Sequence, residues 1–106
     1  MKLLLDENLP HELRRLLPGH EVFTTSYMGW SGLRSGELLH NAATSGLDAL
    51  VTLDSGIEFE QNPAALTCAL VIIRARSNKI EDLRPLIPAL LSGLANLKPK
   101  TNVRVP

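Results

Sequence analysis

Three stretches of this chain are apolar at nearly every position: Leu3-Leu4-Leu5, Ala49-Leu50-Val51-Thr52-Leu53 and Ala69-Leu70-Val71-Ile72-Ile73. A strand that faces water on one side alternates apolar and polar residues. These stretches do not alternate, so each must be buried on both faces. Strands of that kind belong to the interior of a parallel sheet with helices on either side. The intervening segments supply the helices. Leu9, Leu13, Leu16 and Leu17, then Leu38, Leu39, Ala42 and Ala43, then Ile80, Leu83, Ile87, Leu90, Leu94 and Leu97 recur three and four residues apart.

Local signals set the expected boundaries. The first strand covers about Lys2–Leu5, and Asn8 is placed to cap the helix after it, with Pro10 in its first turn. Pro18-Gly19 stops that helix, and a short strand follows at about Glu21–Thr24. Thr25 to Gly36 reads as a glycine-containing loop, and a second helix runs from about Ser35 to Ser45. Ser55 to Pro63 reads as a polar connection. Pro85 and Pro88 kink the last helix or divide it into two pieces. Val103 and Val105 suit a final edge strand. The expectation is one α/β domain over residues 1–106, with a mostly parallel sheet of four to five strands and right-handed crossovers.

Composition excludes several classes. At 44% hydrophobic and 21% charged residues the chain is too apolar for a disordered protein. The single Cys68 rules out an internal disulfide framework, and its apolar neighbours point to a buried structural thiol. No run of 18 apolar residues suggests a membrane span, and the opening Lys and three leucines are too short for a secretory signal, so a cytoplasmic location is expected. Charge is uneven despite a net charge of zero. Residues 1–69 carry nine acids against four bases, and residues 70–106 carry two against seven, a balance of −5 against +5. That split fits an acidic pocket beside a phosphate-gripping rim, or simply a dipolar surface.

Two of the apolar strands end on an aspartate, Asp6 and Asp54. In open parallel sheets the binding crevice lies beyond the carboxyl ends of the strands, where the strand order reverses. If those two strands are neighbours, their ends lie about 5 Å apart. Gathered carboxylates need a divalent cation, a shared proton or basic side chains to neutralise them. Hard oxygen ligands suit Mg²⁺ or Mn²⁺. Glu7 next to Asp6 is read as pointing to solvent. Glu37 sits in the first turn of the second helix, where the helix dipole alone favours an acid. Arg74 and Arg76 follow the strongest strand and are candidates to hold a phosphate. His11, His20 and His40 lack metal-ligand spacing, and Trp30 reads as a core or contact residue.

Met1-Lys2-Leu3-Leu4-Leu5-Asp6-Glu7-Asn8-Leu9-Pro10, Gly19-His20-Glu21-Val22, Gly36-Glu37-Leu38-Leu39 with Ala42, Leu50-Val51-Thr52-Leu53-Asp54, and Val71-Ile72-Ile73-Arg74 follow one another in this order. On these motifs the sequence resembles the small PIN-like domain family. The resemblance implies a shortened PIN fold and a Mg²⁺- or Mn²⁺-dependent ribonuclease, described in that family as the toxin of a toxin–antitoxin pair. Carried over by position, Asp6, Glu37 and Asp54 are the catalytic and metal-holding acids. Asn8 belongs to the opening motif and, with Arg74 and Arg76, to the substrate-binding set. RNA, an antitoxin protein and a second copy in a homodimer are the implied partners. Ser35 and Gly56 stand where the family pattern has two further acids. The alternatives are a catalytically impaired PIN-like scaffold that binds an antitoxin or RNA, and, ranked below it, a receiver-type domain phosphorylated on Asp54.

Overall fold

The computed structural model describes residues 1–106 apart from the Pro63 side chain. Five strands, β1 (Lys2–Leu5), β2 (Glu21–Thr24), β3 (Ala49–Thr52), β4 (Ala69–Ile73) and β5 (Asn102–Val105), form one sheet in the order β2-β1-β3-β4-β5. Every pairing is parallel. The apolar stretches become the three central strands. Leu3, Leu4, Leu5, Ala49, Leu50, Val51, Leu70 and Val71 are at most 1% exposed, as burial on both faces requires. The edge strands β2 and β5 carry the polar residues Glu21, Asn102 and Arg104.

The pleat divides the core in two. Leu3, Leu5, Ala49, Val51, Ala69, Val71 and Ile73 point to one face, where Leu9, Leu13 and Leu17 pack with Leu83, Leu90 and Leu94. Leu4, Leu50, Leu70 and Ile72 point to the other, against Leu38, Leu39, Ala42 and Ile57. The first face is covered by a six-residue 3₁₀ helix, His11–Leu16, and by α4 (Ile80–Leu83) and α5 (Ile87–Ala95). The second is covered by α2 (Ser35–Thr44) and α3 (Ile57–Glu60). A short α1, Thr25–Met28, follows β2 inside the expected loop, capped by the Thr24 hydroxyl, which accepts from the Tyr27 N–H at 3.1 Å. Trp30 and Leu33 after it pack partly buried against the second core. The last helical region is divided at Pro85 by a 3₁₀ turn, Arg84–Leu86, as the prolines suggested.

The topology departs from the expected uniform handedness. Connections β1–β2 and β4–β5 cross the same face but travel toward opposite edges of the sheet, so they have opposite hands. The β2–β3 and β3–β4 connections cross the other face and share the hand of β1–β2. Parallel crossovers are right-handed in about 98% of cases, so β4–β5 is the left-handed exception. Packing accounts for it. The first face has only the short 3₁₀ helix over β1 and β2, which leaves β3, β4 and β5 bare on that side. The Leu-rich α5 fills the space, close enough that a Cβ on Gly93 would sit 3.5 Å from Val105 Cγ2.

Among the described residues no helix is long and apolar enough to cross a membrane. Leu50 lies at the centre of β3 and is fully buried. Leu50→Ala is expected to lower unfolding stability by about 2–5 kcal/mol, read as a drop in urea midpoint at unchanged slope.

Candidate functional site

The strand order reverses between β1 and β3: the chain leaves β1 toward β2 at one edge and returns to the other side of β1 for β3. Their carboxyl ends define the crevice of such a sheet. The Asp6 N–H donates to the Val51 carbonyl at 2.9 Å, extending the β1–β3 ladder by one step and fixing Asp6 at the mouth. Asp54 lies two residues beyond β3.

The two aspartates are joined through Thr52. This residue is fully buried and is the one hydroxyl in an otherwise apolar strand. Its Oγ1 donates to Asp6 Oδ2 at 2.8 Å and accepts from Asn8 Nδ2 at 3.2 Å and from the Asp54 N–H at 3.0 Å. Asn8 Oδ1 in turn accepts from the Leu53 N–H at 3.3 Å. Asn8 therefore does not cap the first helix. That helix begins after Pro10 with no side-chain cap, and Asn8 stitches the loop after β1 to the end of β3. The cross-strand partners win because the Leu53 N–H and the Thr52 hydroxyl are shielded from water, where an unpaired polar group costs about 1–3 kcal/mol.

Each carboxylate keeps acceptor capacity. Asp6 Oδ1 accepts from the Glu7 N–H at 2.8 Å and Oδ2 from Thr52, so two of about four lone-pair directions are used. Asp54 Oδ1 accepts from the Gly56 N–H at 2.9 Å. Gly56 serves that turn directly: a Cβ there would stand 3.2 Å from Asp54 Oδ1. Glu7 is exposed, but its carboxylate is not free in water as expected. Its Oε1 accepts from the Gly32 N–H, which ties the loop before α2 to the end of β1. Gly32 has φ +83°, a conformation strained for any residue with a Cβ.

The other acids are engaged elsewhere. Glu37 Oε1 accepts from the Arg34 N–H at 3.3 Å, closing the N-terminus of its own helix. Glu60 Oε2 accepts from the Ser35 hydroxyl at 3.2 Å, and Gln61 Nε2 donates to the same hydroxyl at 3.1 Å. Ser35 thus joins the start of α2 to the end of α3. Glu58 is held by Arg104, whose Nε donates to Oε2 at 3.0 Å and whose Nη2 meets Oε1. Among the described residues no group of three or more His, Cys, Asp or Glu side chains comes together as a metal cradle. Arg74 and Arg76 are both exposed beyond β4, and Arg74 lines a recess with Ser55, Phe59 and Arg104. His11 and His40 are exposed, and His20 lies beside the N-terminal amine at 3.2 Å, far along β2 from the aspartates.

Sequence reasoning did not give Thr52 a role. The signal was present: a hydroxyl that replaces an aliphatic residue in a strand buried on both sides must find partners. Cys68 behaves as expected. It is buried at the opposite end of the sheet, and burial pushes its thiol up to about 11.

Compared with protein-family models, with curated proteins and with solved structures, the chain gives no match in any of the three.

Two outcomes follow. Thr52→Val removes the shared hydroxyl without changing shape, and is expected to cost about 1–3 kcal/mol in urea unfolding, while Thr52→Ser costs less. Cys68 is expected to stay unmodified by a thiol reagent at pH 8 in the native state and to react fully in denaturant. Its raised pKa places the loss of thiol-linked stability above pH 9, as pH rises toward 11, so the native thiol is protonated at pH 8.

Proposed function

We propose that this chain is a divalent-metal-dependent ribonuclease of PIN-like type and the toxin component of a toxin–antitoxin pair. The observation that carries the reading is the adjacency of Asp6 and Asp54 at the carboxyl ends of neighbouring β1 and β3, linked by one buried hydroxyl. The motif resemblance supplies the chemistry.

The donor set fits a hard divalent ion. Both side chains offer carboxylate oxygens with unused lone pairs, and Mg²⁺ retains several waters, so two protein ligands suffice. Asp6 and Asp54 would hold the ion, which when bound supplies a nucleophilic water and neutralises charge on the leaving oxygen. Thr52 orients Asp6 from behind, and Asn8 keeps the two strand ends together. Glu37 would be the third acid: one of its oxygens closes its own helix, and the other keeps its lone pairs for a metal-bound water. The exposed guanidinium of Arg74 offers a phosphate paired donors. Arg76 adds charge further along the same loop.

The engagement of Glu37, Glu58 and Glu60 favours one second reading: a PIN-like scaffold without catalysis that binds RNA or an antitoxin. The strand order is also one that receiver domains use. A receiver needs a lysine at a late strand end, where this chain has Arg74 after β4 and Pro106 after β5. Acetyl phosphate should therefore leave Asp54 unlabelled.

Calorimetry with Mn²⁺ separates the first two readings. Wild type should bind at or below millimolar metal, Asp6→Asn should not, and Thr52→Val should bind about 10–100-fold more weakly. Metal-dependent cleavage of single-stranded RNA that disappears in Asp54→Asn supports the enzyme. Absence of Mn²⁺ binding by wild type contradicts it.

A further inference from the structure

The recess beside the aspartates holds an aromatic ring and an arginine, Phe59 and Arg104, that the catalytic reading does not use. Its volume is about 230 Å³, and its lining runs from Ser55, the neighbour of Asp54, to Phe59, Ile72, Arg74 and Arg104. Phe59 is 82% exposed, the highest value among the large exposed apolar side chains. At that exposure most of the ring's apolar area is left for a planar partner to cover. Its neighbours narrow the choice. Arg74 and Arg104 both reach the recess, and Glu58 is the one acid in its lining, already paired in two places by Arg104. That pair joins α3 to β5 and fixes the helix that carries Phe59.

Local charge on the lining is +1, with Arg74 outside any ion pair among the described residues. A bare ring next to a positively charged rim is how proteins hold an unpaired nucleotide: the base stacks on the ring and the phosphate meets the guanidinium. We infer that Phe59, Arg74 and Arg104 form a subsite for one unpaired nucleotide of single-stranded RNA, next to the bond presented to Asp6 and Asp54. The inference rests on the ribonuclease reading for its substrate class and adds to it a stacking residue, Phe59, and the guanidinium of Arg104. The left-handed β4–β5 crossover contributes by taking α5 to the other face, which leaves Arg104 uncovered on this one.

The subsite is tested by binding rather than cleavage. A 3′-fluorescein-labelled uridine 12-mer is titrated with protein in EDTA and followed by anisotropy over a series of salt concentrations. Phe59→Ala should raise Kd about tenfold with an unchanged salt slope, and Phe59→Trp should restore binding. Arg74→Ala should weaken binding and lower the slope of log Kd against log salt by about 0.7, one phosphate contact on a single strand. A duplex of the same length should compete poorly, because its bases are already stacked. Wild-type binding that Phe59→Ala and Arg74→Ala leave unchanged overturns the subsite, as does failure of wild type to bind. Cleavage with Mn²⁺ is scored separately. Binding that depends on Phe59 without any cleavage keeps the subsite and removes the nuclease.

Discussion

The Thr52 hydroxyl is the point on which the site depends. It is sealed from water, it has one proton to give and two lone pairs to offer, and all are used: the proton goes to Asp6, and the lone pairs take Asn8 and the backbone of Asp54. A buried hydroxyl left unsatisfied is costly, so these partners are held in place by the same energy that makes the strand fold. The Asp6 carboxylate and the Asp54 backbone are therefore set by the core, and the Asp54 carboxylate is held in turn by the Gly56 N–H. Preorganisation of that kind is what a metal or phosphate site requires.

The sheet supplies the setting. Two-sided burial of β1, β3 and β4 forces helices onto both faces, and the reversal of strand order puts the ends of β1 and β3 side by side. The unusual hand of the β4–β5 connection follows from where apolar area remained uncovered. It places Leu90 and Leu94 under Val105 and leaves the opposite side of β5 to a guanidinium–carboxylate pair between Arg104 and Glu58. A packing preference in one half of the molecule thus shapes the surface next to the aspartates in the other.

Much of this was legible in the sequence, and the reasons differ by element. Continuous apolar runs gave the central strands to within a residue, because burial on both faces leaves no other pattern. Pro85 and Pro88 announced the divided helix. The hand of the last crossover could not be read, since it depends on which face the other connections leave free. Asn8 reads from its neighbours in sequence as a helix cap. Its partners are 44 and 45 residues away, and no local signal carries that distance. Ser35 and Gly56 stand where acids were expected and have their own tasks here, one joining two helices and the other turning the chain to meet Asp54. Phe59 and Arg104 lie 45 residues apart in sequence, so only the fold brings them to one recess.

Amide NMR spectra recorded during addition of Mn²⁺ test the central claim most directly, because paramagnetic broadening reports where the ion sits whether or not RNA is cut. The account predicts that signals of Glu7, Leu53, Asp54 and Ser55 broaden first, that those of Asp48 and Cys68 at the opposite end of the sheet broaden last, and that Asp6→Asn abolishes the effect. Broadening centred on any other acids, or none at millimolar Mn²⁺, would contradict it.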